Sequence, residues 1–240
     1  MVLARMANVG SQPEKFTLQD DFEERRKLNP TQMVAKIDEW VRAGKYEDDM
    51  DSIGNQGYHI VSRTVGEYYK TNRENIKVID VAAGTGLVSV ELKKLGFKDM
   101  DAVDASEEMM KVAIKRNIFN KYYVEYVDGH RLPIETDAYD CAVVSGGFSQ
   151  SFLPCNALFE IVRIVKPGGI ICIEMIESNL NRVPEFVERL EPLWKKFAVE
   201  GVWEVLKKDI IPELVTGENG LLMIYKVLTS EISFPQLPPL

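Results

Sequence analysis

The chain has 240 residues, 45% of them hydrophobic and 28% charged, which is too apolar for a disordered chain and too charged for a membrane bundle. Acidic residues number 37 against 29 basic ones, a net charge of −8, so a phosphate-tracking surface is not expected. Three scattered cysteines and no run of 18 apolar residues point to a cytoplasmic protein with no membrane span, expected as a monomer or homodimer.

Residues 1–27 are polar and aperiodic and read as a mobile N-terminal tail. Asn29 and Pro30 then read as an N-cap and a first helical residue. Met33, Ile37, Trp40 and Val41 follow at helical spacing, and Gly44 can close the helix. A second helix is predicted over about 58–70, so that 28–70 forms a helical lid. From there the pattern alternates. Apolar runs suited to buried strands occur at 77–82, 100–104, 122–127, 139–145 and 169–176, with helical stretches at about 86–95, 106–117, 154–165 and 184–198. Such alternation implies a doubly wound α/β sheet. Residues 202–211 and 221–228 flank a turn at 216–220 and read as an antiparallel hairpin. The prediction is a doubly wound, Rossmann-like seven-stranded sheet over 71–230 with an antiparallel C-terminal hairpin, and a tail over 231–240. An open parallel sheet binds ligands beyond the carboxyl ends of its strands. The chemistry is therefore expected after Val81, Val103, Val127 and Ser145.

Four motifs lie in or beside those loops. The first is Asp80-Val81-Ala82-Ala83-Gly84-Thr85-Gly86, where glycine lets the backbone turn sharply and approach a ligand. Alone, Gly-x-Gly also describes an ordinary strand–helix turn, and Ser89 breaks the full dinucleotide fingerprint. Asp104 follows Gly84 by 20 residues at the end of the second strand, where a carboxylate can accept both ribose hydroxyls of an adenosine group. Ser106 then caps a helix. Asp128-Gly129-His130 follows the third strand, and Asp128 can accept from an adenine amine. Lys166-Pro167-Gly168-Gly169 reads as a type II turn.

In this order, DVAAGTG, VDAS with Met109, VDGHRLP and LFEIVRIVKPGG resemble class I S-adenosylmethionine-dependent methyltransferases. The likeness is to the ubiquinone-biosynthesis-type small-molecule branch, near the methyltransferase-like group of the Williams–Beuren chromosomal region. It covers roughly 38–228, because Trp40, Tyr46-Glu47-Asp48-Asp49 and Gly57-Tyr58 also match an upstream pattern. Ala82 stands where glycine is commonest, and Glu47 where the pattern has Asp. The resemblance implies that S-adenosylmethionine is the cofactor. Gly84 and Gly86 would line its methionine portion, and Asp80 would support the amino group. Asp104 would hold the ribose, with Ala105 and Met109 beside the adenine and Asp128, Gly129 and His130 at its edge. Ser145 and Gly146 would face the sulfonium.

The acceptor is expected to be a small molecule, methylated on O, S or N, covered by residues 40–61. Tyr46 and Tyr58 can flank a sulfonium, since an aromatic face attracts a cation. His59 is the lid's histidine and can take a proton. Phe148, Phe152 and Glu177 are expected as the opposite wall. Two histidines cannot build a His-rich metal site. A nicotinamide dehydrogenase fits less well, without the third glycine or a Tyr-x-x-x-Lys pair. A nucleic-acid methyltransferase lacks its Asn/Asp-Pro-Pro-aromatic loop after the fourth strand. A non-catalytic S-adenosylmethionine- or partner-binding protein of the same fold is the alternative.

Overall fold

The computed structural model describes Glu23 and residues 26–238; most of the tail expected over 1–27 lies outside the described residues. Strands β1 (Lys77–Val81), β2 (Asp99–Asp104), β3 (Tyr122–Val124), β4 (Tyr139–Ser145), β5 (Val165–Ile176), β6 (Trp203–Val215) and β7 (Glu218–Val227) form one sheet in the order β3-β2-β1-β4-β5-β7-β6. The first five are parallel, and β7 runs antiparallel to both β5 and β6. This is the doubly wound sheet with a final antiparallel hairpin that the alternation predicts. Its central strands are covered on both faces, which is why they read as largely apolar runs, broken by single acids such as Asp80 in β1 and Glu174 in β5.

The helices are α1 (Pro30–Arg42), α2 (Tyr46–Ser52), α3 (Gly57–Tyr68), α4 (Leu87–Lys94), α5 (Glu107–Lys115), α6 (Ala157–Ile164), α7 (Asn179–Arg182) and α8 (Leu190–Val199). Two cores result. On one face Val61 and Val65 of α3, Leu92 of α4 and Met110 of α5 pack on Val78, Cys141 and Cys172. On the other, α6 and α8 pack on Ile79, Ala142, Ile171 and Trp203. Helix α3 thus belongs to a layer of the sandwich, while α1 meets the body through Met33, Ile37 and Met109. Asn29 starts α1 with a reciprocal cap: its side chain accepts from Gln32 N at 2.9 Å, and Gln32 accepts from Asn29 N at 3.0 Å. Among the described residues no helix is long and apolar enough to cross a membrane.

Three details depart from expectation. The helix read over 184–198 starts only at Leu190, because Glu188 adopts left-handed backbone (φ +56°) and Arg189 is non-helical (φ −122°), a combination no α-helix runs through. Lys166–Gly169 lies inside β5, where pairing skips from Val165 opposite Tyr139 to Ile170 opposite Cys141; Gly168 (φ +89°) serves a bulge. The C-terminal segment is docked: Phe234 packs on Phe159 and Phe197, and Asn156 exchanges two hydrogen bonds with Leu237.

Candidate active site

A cavity of about 450 Å³ opens at the carboxyl ends of the parallel strands, with Pro30, Val34 and Ile37 of the α1 segment and Tyr46 and Met50 of α2 among its walls. This lies within the usual range for a small-molecule site.

The loop after β1 supplies one wall. Ala82 adopts φ +55°, a left-handed conformation that costs an L-residue roughly 1–2 kcal/mol and glycine nothing. That is the physical reason for glycine at this place in the pattern the chain resembles. Gly84 also lines the cavity, and a Cβ there would meet only Met109 Sδ at 3.8 Å; at Gly146 (φ +68°) a Cβ would meet nothing within 4 Å. Both glycines therefore border open space. Gly86 serves packing instead: it caps α4, and a Cβ would come within 3.1 Å of the Phe119 ring.

Asp104 ends β2 at the cavity and ties two loops together. Its Oδ2 accepts from Gly84 N and its Oδ1 from Ser106 N, each at 2.8 Å. Burial raises its pKa, and these two N–H groups oppose the shift. Ser106 caps α5 by accepting from Met109 N at 3.0 Å, and its hydroxyl donates to Asp38 Oδ1 at 2.5 Å. Through Asp38, α1 is fastened beside Asp104.

Ala105, Met109, Asp128 and Ser145 also line the cavity. Burial pushes the Asp128 carboxyl up, but the backbone N–H and ring of His130 outweigh it and hold the group below its ordinary value. Gly129 and His130 stand behind this wall; a Cβ on Gly129 would lie 2.9 Å from Asn156 and 3.0 Å from Gln236. Asp80 is in the core, not at the cavity. It accepts from Ser89 Oγ at 2.7 Å, and burial pushes its carboxyl up to about 7.

Tyr46 lines the cavity, edge-on to Trp40 at 5.0 Å. Trp40 Nε1 donates to Asp49 at 2.7 Å, while Glu47 pairs with Arg116, which donates to Thr85 O at 2.7 Å. The upstream motif thereby braces the glycine loop, and Glu47 does so by reaching Arg116. Tyr58 and His59 do not reach the cavity. Their rings lie tilted against each other at 4.1 Å, and His59 borders a separate surface depression with Arg63, Glu91 and Lys94. The expectation that His59 serves the site is corrected by helix geometry. Gly57 faces the cavity end of the sheet, and two residues on, at about 100° per residue, a side chain points to the opposite side.

Of the expected opposite wall, Phe152 lines the cavity, whereas Phe148 is buried against Phe186 and Glu177 lies outside. Asn55, Gln150 and Glu174 line it unanticipated. Glu174 had a signal in the sequence, a lone acid in the apolar run Ile170–Ile176, where burial of a charge is costly.

The sequence profile of the ubiE/COQ5 methyltransferase family matches residues 26–197. The chain is 31% identical over 144 residues to Methyltransferase-like protein 27 of Homo sapiens, covering 60% of this chain and 58% of that protein. To a demethylmenaquinone methyltransferase of Clavibacter sepedonicus it is 32% identical over 205 residues, covering 85% and 76%. It thus spans little more than half the length of the human relative. The structure of a SAM-dependent methyltransferase from Leishmania major superposes with a TM-score of 0.56 at 17% identity, covering 80% of this chain and 82% of that one, a likeness of fold alone.

Proposed function

The chain belongs to the ubiE/COQ5 methyltransferase family, and from that premise we propose that it transfers the methyl group of S-adenosylmethionine to a small-molecule acceptor held beneath α1 and α2. The observation that carries this reading is the convergence of Asp104, Gly84 and Gly146 on one cavity. A carboxylate there, with two glycines bordering open space, fits a ribose and a narrow chain beside it.

When bound, the cofactor supplies a methyl group already activated by its sulfonium charge. The protein's task is then to bind, orient and exclude water. Asp104 is steadied by two N–H donors and keeps lone pairs for the ribose hydroxyls. Ala105, Met109 and Asp128 would border the adenine, and Ser145, Gly146 and Tyr46 would border the sulfonium side. Helices α1 and α2, fastened through Asp38–Ser106 and Glu47–Arg116, shut out water. The largely apolar walls suit a small neutral or weakly acidic metabolite, and the acidic net charge favours such a substrate in the cytoplasm over nucleic acid.

Titration calorimetry tests this directly. S-adenosylmethionine is expected to bind at one site and NAD not at all. Absence of S-adenosylmethionine binding, or equal binding of NAD, overturns the proposal.

A further inference from the structure

Buried acids in this fold are generally matched. Glu160 pairs with Arg163, and Asp101 with Lys77 and Tyr139. Asp80 has Ser89 and does not reach the cavity. Glu174, 2% exposed, resembles Asp80 in having a single serine hydroxyl and no basic side chain within ion-pair distance among the described residues, but unlike Asp80 it lines the cavity. An uncompensated buried carboxyl is costly, and such groups mark sites where a ligand completes the set.

Three elements build its surroundings. Ser145, ending β4, pairs directly with Glu174 on β5, and its hydroxyl donates to Glu174 Oε2 at 2.7 Å. The first residue of α3, Gly57, lies so close that a Cβ would sit 2.3 Å from that oxygen and 2.8 Å from Ser145 Oγ. Glycine is thus required for α3 to start against the pair. Asn55, Ile53, Ile176 and Leu214 line the cavity alongside. Burial pushes the carboxyl up to about 7, opposed by the Ser145 hydroxyl and the Gly146 N–H. A hydrogen-bond donor brought in by a ligand favours the ionised carboxylate, and the two then form a charge-assisted bond.

We propose that Glu174 and Ser145 form the acceptor-recognising end of the cavity, selecting, on the methyltransferase reading above, a small molecule that presents a hydroxyl or amino group there. An acceptor lacking such a group leaves Glu174 buried and unmatched.

Three probes of nearly equal shape test it: 2-phenylethylamine, 2-phenylethanol and propylbenzene, titrated into protein saturated with the demethylated cofactor, S-adenosylhomocysteine. The two donor probes are expected to bind about tenfold more tightly than propylbenzene, and E174Q to reduce that preference to about twofold. Equal binding of all three by the wild type, or an undiminished preference in E174Q, overturns the assignment. So does a fall in S-adenosylmethionine affinity of E174Q with S-adenosylhomocysteine affinity unchanged, which would make Glu174 the counter-charge of the sulfonium. A structure with 2-phenylethylamine, independent of whether E174Q folds, is expected to place the amine within hydrogen-bond distance of Glu174; an amine elsewhere refutes the site. Failure of the wild type to bind S-adenosylhomocysteine would overturn the methyltransferase reading instead, and the same probes titrated alone would still decide the role of Glu174.

Discussion

Replacing Glu174 by Gln removes an ionisable group while keeping its shape and an acceptor for the Ser145 hydroxyl. Burial holds the folded carboxyl at about 7, against an ordinary value of 4.5. Between those values the unfolded chain has released the proton and the folded protein still holds it. Wild-type stability therefore falls as pH rises, by about 1.4 kcal/mol per pH unit from this group. The whole contribution is present at about pH 4, and about 3 kcal/mol of it is lost by about pH 8. E174Q carries no such term. Asp80 titrates over a similar range but does so in both proteins, and cancels in their difference. Urea denaturation followed by tryptophan fluorescence at several pH values measures that difference. The stability of E174Q relative to wild type should rise by about 3 kcal/mol from about pH 4 to about pH 8. A difference that stays flat with pH would refute the claim that Glu174 is buried without a compensating charge.

Other substitutions test the rest of the site. Asp104→Ala should weaken S-adenosylmethionine binding by roughly 1.5–3 kcal/mol in calorimetry, since charge-assisted hydrogen bonds are lost; unchanged affinity would remove Asp104 from the ribose role. It should also lower the melting temperature, because the N–H groups of Gly84 and Ser106 lose their acceptor. Gly57→Ala drives a methyl into the Glu174–Ser145 pair and should cost about 1–3 kcal/mol of stability; a variant as stable as wild type would show that α3 is not pressed there. Ala82→Gly should leave stability within about 1 kcal/mol of wild type, relief of left-handed backbone offsetting the entropy of the unfolded chain. The bulkier Ala82→Val should lose more than about 1 kcal/mol at the same φ, and a neutral result would argue against that conformation.

Several features were legible because their causes are local. A strand covered on both faces must be largely apolar, so β1, β4 and β5 announce themselves. Asn29 with Gln32, and Ser106 with Met109, cap helices through bonds spanning three residues. Asp104 and Gly84 stand 20 residues apart, yet the βαβ unit between them is regular enough to bring strand ends together.

What the tertiary structure alone decided concerns direction and distant partners. Gly57 and His59 sit in one helical turn, and nothing local says which faces the strand ends; the packing of α3 on α4 and the sheet turns His59 away. Asp38 meets Ser106 across 68 residues, a contact set by how α1 crosses α5. Glu174 is visible in sequence as an acid in an apolar run, but its meaning depends on Ser145, 29 residues earlier. Only the register of β4 against β5 puts the two side by side, and only the approach of Gly57 lets α3 close over them. Local sequence determines which segments form strands, turns and caps, because those energies act between near neighbours. Which buried acid goes without a cation depends on every chain segment that packs around it, and so on the fold as a whole.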